Sequence, residues 1–265
     1  MLWSPFTRRW VAAGACRTER DRAFASPHRN AWPGSALVKA SIKEKVRSGL
    51  SKIVNGSSLQ PHSGGAPKQL VLLLHGYGSN GADLISFAPH WQHALPDALF
   101  LAPNAPQPCG MGRGHQWWPL SSFTQQALAA GAATAAPAID AFIDRKLSQY
   151  GLGEADLALV GFSQGTMMAL HVGLRRSRQV AAIVGYSGML TGAPDLAHAR
   201  ITKPPVLLVH GSADPVVPVA ALHAAKRELD HLGVPLETHL SSGLGHSVDP
   251  VGLRLGLDFI LRGFG

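Results

Sequence analysis

A chain of 265 residues with 46% hydrophobic residues is long enough for one sizeable α/β domain and has the apolar content of an ordinary globular protein. Its formal net charge of +8 would suit a nucleic-acid ligand, but the first 52 residues hold 11 of the 24 Lys and Arg against 3 of the 16 Asp and Glu. The rest of the chain keeps 13 of each sign, so the body has no bulk electrostatic reason to seek phosphates and no nucleic-acid partner is expected.

Residues 1–67 are rich in Arg, Ala and Ser, poor in acids and without a sustained strand pattern. Ser57, Ser58, Ser63, Gly64, Gly65 and Pro67 close the segment as a flexible run. The composition fits an organellar transit peptide, an amphipathic surface helix over 37–53, or a disordered extension. The extension is the reading adopted, because nothing in the segment carries chemistry. The expected organisation is therefore 1–67 as a basic N-terminal extension and 68–265 as the folded domain. The two cysteines, Cys16 and Cys109, form no C-x-x-C pair, so no disulfide framework is expected and a reducing, cytoplasmic setting fits. No apolar run approaches about 18 residues, and the N-terminus lacks a compact apolar core with a small-residue cleavage site. Neither stable membrane insertion nor a secretory leader is expected.

From Lys68 onward the pattern is strand, loop, helix. Apolar runs at 71–74, 98–102, 157–160, 180–184, 206–209 and 236–240 each end in glycine-rich or polar sequence. Continuous rather than alternating apolar runs suit strands buried on both faces of a parallel sheet. Helical segments at about 127–150, 164–174, 219–232 and 251–261 alternate with them. The expected architecture is an open, mostly parallel sheet flanked by helices, with its site at the carboxyl ends of the strands. No internal repeat and no second folded domain are evident.

The most informative stretch is Gly161-Phe162-Ser163-Gln164-Gly165. Chance alone supplies on the order of 0.2 matches to G-x-S-x-G in a chain this rich in glycine, so the pattern by itself is weak. A strand ends just before it and a helix begins just after it. That context makes a nucleophile elbow, in which a sharp turn raises the serine hydroxyl above the sheet. A serine hydroxyl needs a base within hydrogen-bond reach, and the base needs an orienting acid. Asp214, in a proline-closed loop after 206–209, supplies the acid, and His246, between glycine and serine after 236–240, supplies the base. The order Ser163, Asp214, His246 is that of α/β-hydrolases. Asp249 is the rival acid and reads better as the start of the last helix. His210 is the rival base and reads better as a buried packing residue. Ser163 as a plain helix N-cap is the bland alternative. Acyl transfer also needs oxyanion donors, for which the backbone N–H groups of Gln164 and of Tyr77, in His75-Gly76-Tyr77-Gly78, are expected.

These motifs resemble the phospholipase/carboxylesterase family of α/β-hydrolases, which includes acyl-protein thioesterases. Leu73 to Gly78 is similar to the family's oxyanion loop, 161–165 to its elbow including the Gln, 210–218 to its acid loop, and 245–247 to its histidine loop. The resemblance covers about 68–264. It implies a single-domain hydrolase without a large lid, using neither metal nor organic cofactor. The implied activity is hydrolysis of short or medium acyl esters through an acyl-enzyme. The substrate is a small-molecule ester or thioester, and lysophospholipase and acyl-thioesterase activities are alternatives. A non-catalytic ligand-binding protein on the same scaffold is the reading from a different class. A homodimer is left open. Tyr77 stands where eukaryotic acyl-protein thioesterases commonly carry Leu. Trp117 and Trp118 resemble the family's aromatic segment near the acyl pocket and are expected to line it, with core packing as the alternative. Met167 and Met168 read as core filler.

Overall fold

The computed structural model describes residues 54–110, 114–196 and 198–265. Cys16 and most of the basic segment lie outside the described residues.

Seven strands form the main sheet: β1 (Val54–Leu59), β2 (Gln69–Leu74), β3 (Ala98–Asn104), β6 (Leu157–Phe162), β7 (Ala182–Tyr186), β8 (Val206–Gly211) and β9 (Leu236–Ser241). Their spatial order is β1-β3-β2-β6-β7-β8-β9. All neighbours run parallel except β1, which pairs antiparallel with β3. Two-residue strands β4 (Gln107–Pro108) and β5 (His115–Gln116) make a separate small hairpin. The helices are α1 (Gly81–Leu84), α2 (Ala88–Trp91), α3 (Gln125–Tyr150), α4 (Gln164–Gly173), α5 (Ala193–Leu196), α6 (Ala220–His231) and α7 (Pro250–Phe264).

The period of two in a strand divides the core between the sheet's faces. Leu70, Leu72 and Leu74 of β2 join a cluster with Leu128, Ile139 and Ile143 of α3, Met168 and Leu170 of α4, and Leu222 and Leu229 of α6. Val71 and Leu73 face the other way, into a cluster with Trp91 of α2 and Phe259 and Ile260 of α7. The apolar runs are continuous because both faces are covered. β9 departs from that expectation. It is an edge strand, with Glu237, Thr238 and Leu240 exposed, so only part of it faces the core.

α3 is long and apolar enough to cross a membrane by length and composition, with a mean hydropathy of 1.2 over its best window. The sequence scan for unbroken apolar runs missed it because alanines, glycine and polar residues interleave along it. Its apolar stripe, from Leu128 to Leu147, packs into the core, as in a helix laid against a sheet. Arg176, just beyond α4, is buried and pairs with Asp140 and Asp144 of α3 and with Glu154, locking α3 to the end of α4.

β1 corrects the boundary drawn at residue 67. Val-Asn-Gly-Ser-Ser-Leu has little strand propensity and reads as flexible, yet Ser57, Ser58 and Leu59 pair with Ala102, Leu101 and Phe100. Gly56 is there because a Cβ would lie 1.9 Å from the Ala102 carbonyl oxygen. Tertiary pairing overrides local preference, and the folded unit begins no later than Val54.

Deleting residues 1–52 is expected to take the net charge from +8 to zero and leave the melting temperature unchanged. Deleting 1–59 also removes β1. At about 0.5–1.5 kcal/mol per lost hydrogen bond, its pairing contributes about 2 kcal/mol or more. For a domain of this size that is roughly 4–8 °C in Tm. Equal melting temperatures for the two truncations would show that β1 contributes nothing to the fold.

Candidate active site

The parallel strands bring the ends of β2, β6, β7, β8 and β9 to one edge of the sheet. Ser163 sits between β6 and α4 with φ 54° and ψ −115°, a conformation L-residues rarely adopt. The turn is that tight because α4 lies almost on the strands. A Cβ on Gly161 would come within 2.4 Å of the Gly165 carbonyl carbon, and one on Gly165 within 1.8 Å of the Leu74 carbonyl oxygen. Ser163 occupies the N-cap position of α4, but its hydroxyl makes no capping hydrogen bond. The bland N-cap reading therefore has no support. The backbone N–H of Ser163 donates to the Tyr186 carbonyl, tying the turn to β7.

Asp214 follows β8. Its Oδ1 accepts from the N–H groups of Val216 and Val217 at 2.8 and 2.9 Å, and its Oδ2 accepts from His246 Nδ1 at 2.8 Å. A carboxylate can only accept, so His246 carries its proton on Nδ1 and leaves Nε2 as the acceptor. Burial works to raise the Asp214 carboxyl, and the hydrogen bonds from His246, Val217 and Val216 outweigh it, leaving the group below the usual carboxylate range. His246 packs its ring against Phe162, the residue before Ser163, with centroids 4.9 Å apart. Ser187, at the end of β7, is with Ser163 one of two non-glycine residues with positive φ among the described residues. Its hydroxyl approaches the Ser247 carbonyl at 3.4 Å, beside His246.

The rivals go elsewhere. Asp249 caps α7, accepting from Gly252 N–H at 2.7 Å. His210 comes within 3.5 Å of Asp214 Oδ2, but its Nε2 donates to the Val217 carbonyl at 2.8 Å and the ring is buried.

Tyr77 lies in the loop after β2. Its neighbours are engaged, Gly78 N–H with His115 O and Ser79 N–H with Gly76 O, while no described residue accepts the Tyr77 N–H. The N–H of Gln164 opens α4, ahead of any intrahelical acceptor. His75 holds the loop from below. Ala105 N–H donates to its Nε2 at 2.9 Å, so Nδ1 carries the proton and donates to Gly76 O at 2.7 Å. Burial is the main cause that lowers the His75 pKa to about 4.

Trp117 and Trp118 are corrected from pocket wall to core. They are 1% and 4% exposed and belong to the cluster beneath α3 and α4. A Cβ on Gly131 of α3 would come within 2.2 Å of the Trp118 ring, so that ring lies against the helix. Two other apolar residues follow the carboxyl ends of strands on this edge: half-buried Met189, just beyond β7, and half-exposed Val216, two residues after Asp214. Neither stands out in the sequence, because the residues beside them, the Gly185–Gly188 strand end and Asp214, carry the reading. A hollow of about 340 Å³, lined by Ser57, Asn80, Asn104 and His115 among others, opens two strands from Ser163 and does not include it. Among the described residues, no three His, Cys, Asp or Glu side chains group so as to hold a metal ion.

The family model described as phospholipase/carboxylesterase matches residues 61–262. The chain belongs to the phospholipase/carboxylesterase family. It is a carboxylic ester hydrolase with the α/β-hydrolase fold. Among its relatives, the Escherichia coli esterase YpfH is 28% identical over 193 residues, covering 73% of this chain and 82% of that one. Acyl-protein thioesterase 1 of Schizosaccharomyces pombe is 30% identical over 188 residues, covering 67% and 83%. The crystal structure of esterase PE8 superposes with a TM-score of 0.75 at 45% identity, covering 79% of this chain and 98% of that one. The family match begins after β1.

His75 makes the stability of this family member depend on pH. The folded pKa lies near 4, below the ordinary 6.5, so the unfolded chain binds the proton first as pH falls. Its contribution is fully present above pH 6.5 and is lost between there and about pH 4. From roughly pH 7 to pH 5 the loss is about 2 kcal/mol. Urea midpoints of wild type and His75→Asn at both pH values check this. The variant is expected to be less stable at pH 7 and to lose less on acidification, and equal losses would contradict the assignment.

Proposed function

We propose that Ser163 is the nucleophile, His246 its base and Asp214 the orienting acid in hydrolysis of small-molecule carboxylic esters through an acyl-enzyme. The observation that carries this reading is the hydrogen bond from His246 to an Asp214 carboxylate that two backbone N–H groups already hold. A carboxylate so fixed selects the tautomer in which Nε2 can take a proton, and it stabilises the imidazolium that forms. The Ser163 hydroxyl gives its proton to His246 Nε2 as Oγ bonds to the ester carbonyl carbon. The resulting oxyanion lies toward the N–H groups of Tyr77 and Gln164. Collapse breaks the bond to the alkoxy oxygen, which leaves with the proton from His246. Water, activated by His246 in turn, cleaves the acyl-enzyme and returns the free serine.

The acyl chain lies toward Met189 and Val216, at the ends of β7 and β8. The β7–β8 connection carries only the four-residue α5 among the described residues, which supports a site without a large lid and therefore short or medium acyl chains. A thioester would follow the same steps, and the thioesterase name of the Schizosaccharomyces pombe relative makes it the second substrate to test. A cytoplasmic setting accords with small, soluble substrates.

Ser163→Ala is expected to abolish turnover of p-nitrophenyl esters with the fold intact, and a fluorophosphonate is expected to label Ser163. Asp214→Asn is expected to lower kcat by about 10⁴-fold and Asp249→Asn to leave it near wild type. Labelling at another residue, or reversal of the two Asp variants, would refute the assignment.

Across p-nitrophenyl esters of increasing length, kcat/KM is expected to rise by up to about 0.8 kcal/mol per buried CH₂ and then fall. Val216→Ser is expected to flatten the rise more than it slows acetate-ester turnover. An unchanged length profile would remove Val216 from the acyl site. A palmitoyl-thioester probe run beside the series decides between ester and thioester.

A further inference from the structure

We infer that the side chains of Gln164 and Trp117 are positioning residues that fix the separation of the two oxyanion donors, an inference that rests on reading Tyr77 and Gln164 as those donors. The Gln164 side chain does not face the ester. It is 1% exposed, and both ends of its amide are spent on the 117–118 segment. Oε1 accepts from Trp117 N–H at 3.0 Å, and Nε2 donates to Trp118 C=O at 2.9 Å. An amide held at both its oxygen and its nitrogen is fixed in orientation as well as in distance.

Trp117 carries the connection onward. Its indole N–H donates to the His75 carbonyl at 2.9 Å. His75 then grips Gly76 O through Nδ1–H and receives Ala105 N–H at Nε2. The result is a continuous hydrogen-bonded path from the residue that offers one donor N–H, Gln164, to the Gly76–Tyr77 peptide that carries the other. Gln164, Trp117, Trp118 and His75 are all buried, where an unmade hydrogen bond costs more than in water. Glu at position 164 would keep the shape but lose the donor to Trp118. Met would lose both bonds.

The two donors matter most once the carbonyl oxygen has become an oxyanion, when both must lie about 2.7–3.1 Å from it. A planar ester uses them little. Loosening the path therefore weakens binding of the tetrahedral state and spares the ground state, which appears in kcat rather than KM.

Trp117→Phe removes only the indole donor and keeps an aromatic ring in the core, and Gln164→Met tests the other link. In both, kcat is expected to fall about 10–100-fold, as for a small misplacement of a catalytic group. KM is expected to shift by less than about twofold, and the inhibition constant of a trifluoromethyl ketone to rise in parallel with the loss in kcat. Hydrogen exchange of amides 76–79 is expected to accelerate, a readout that does not depend on turnover. If Gln164→Met does not fold, Trp117→Phe decides alone. Unchanged exchange overturns the inference, as does faster exchange with unchanged kcat or a loss confined to KM. If the wild type neither cleaves esters nor reacts with a fluorophosphonate, the functional reading fails and the oxyanion role fails with it, and exchange then shows whether the path stiffens the loop.

Discussion

The site depends on how closely the first turn of α4 is pressed against the carbonyl end of β2. No side chain fits at Gly165 beneath the Leu74 carbonyl, or at Gly161 against Gly165. With that gap closed, the chain can pass from β6 into α4 only by driving Ser163 to positive φ. The same closeness puts Gln164 within reach of the 117–118 backbone and sets the Ser163 Cβ against Gly76. The strained Ser163 turn, the helix N-terminus and the loop after β2 are thus consequences of one backbone contact rather than three separate arrangements. The sheet order β2-β6-β7-β8 then sets the spacing of everything else along the edge.

The Asp214 carboxylate shows how position, not residue type, selects its imidazole partner. Two imidazoles approach Oδ2, from His246 at 2.8 Å and from His210 at 3.5 Å. Chemically they are equivalent partners. His210 is excluded because its Nε2 already serves the Val217 carbonyl, and that bond closes the same loop whose N–H groups hold Oδ1. His210 braces the acid loop, and His246, in the loop after the edge strand β9, gives its Nδ1 proton to Oδ2. Burial opposes the charge on Asp214, and the donors around it prevail.

Most of this was legible in the sequence because the parallel strands are unbroken apolar runs, each ending in polar or glycine-rich residues. The elbow, the acid loop and the histidine loop were found by the strands before them. What stayed hidden depended on partners distant in sequence. β1 carries Gly56, Ser57 and Ser58 and becomes a strand only because β3 offers an edge. Trp117 and Trp118 look like pocket residues in a glycine-rich stretch, and only their burial beneath α3 and α4 shows them as core. Met189 and Val216 stand next to glycine-rich or acid-loop sequence without being singled out by it. The amide of Gln164 was visible as part of a pattern, but its bonds to a segment 46 and 47 positions away in the chain were not.

Ser163 and Ser187 hold positive φ at the ends of adjacent strands. Non-glycine residues in such conformations cost about 1–3 kcal/mol each, a sizeable part of the roughly 5–15 kcal/mol by which a domain is stable. Glycine at either position would release that strain. At Ser163 it would also delete the hydroxyl. On the proposed reading of Ser163, the step toward greater stability and the step toward a silent binding protein begin at the same residue. On that reading one substitution would gain stability as it lost turnover, so stability by itself does not hold serine at the apex.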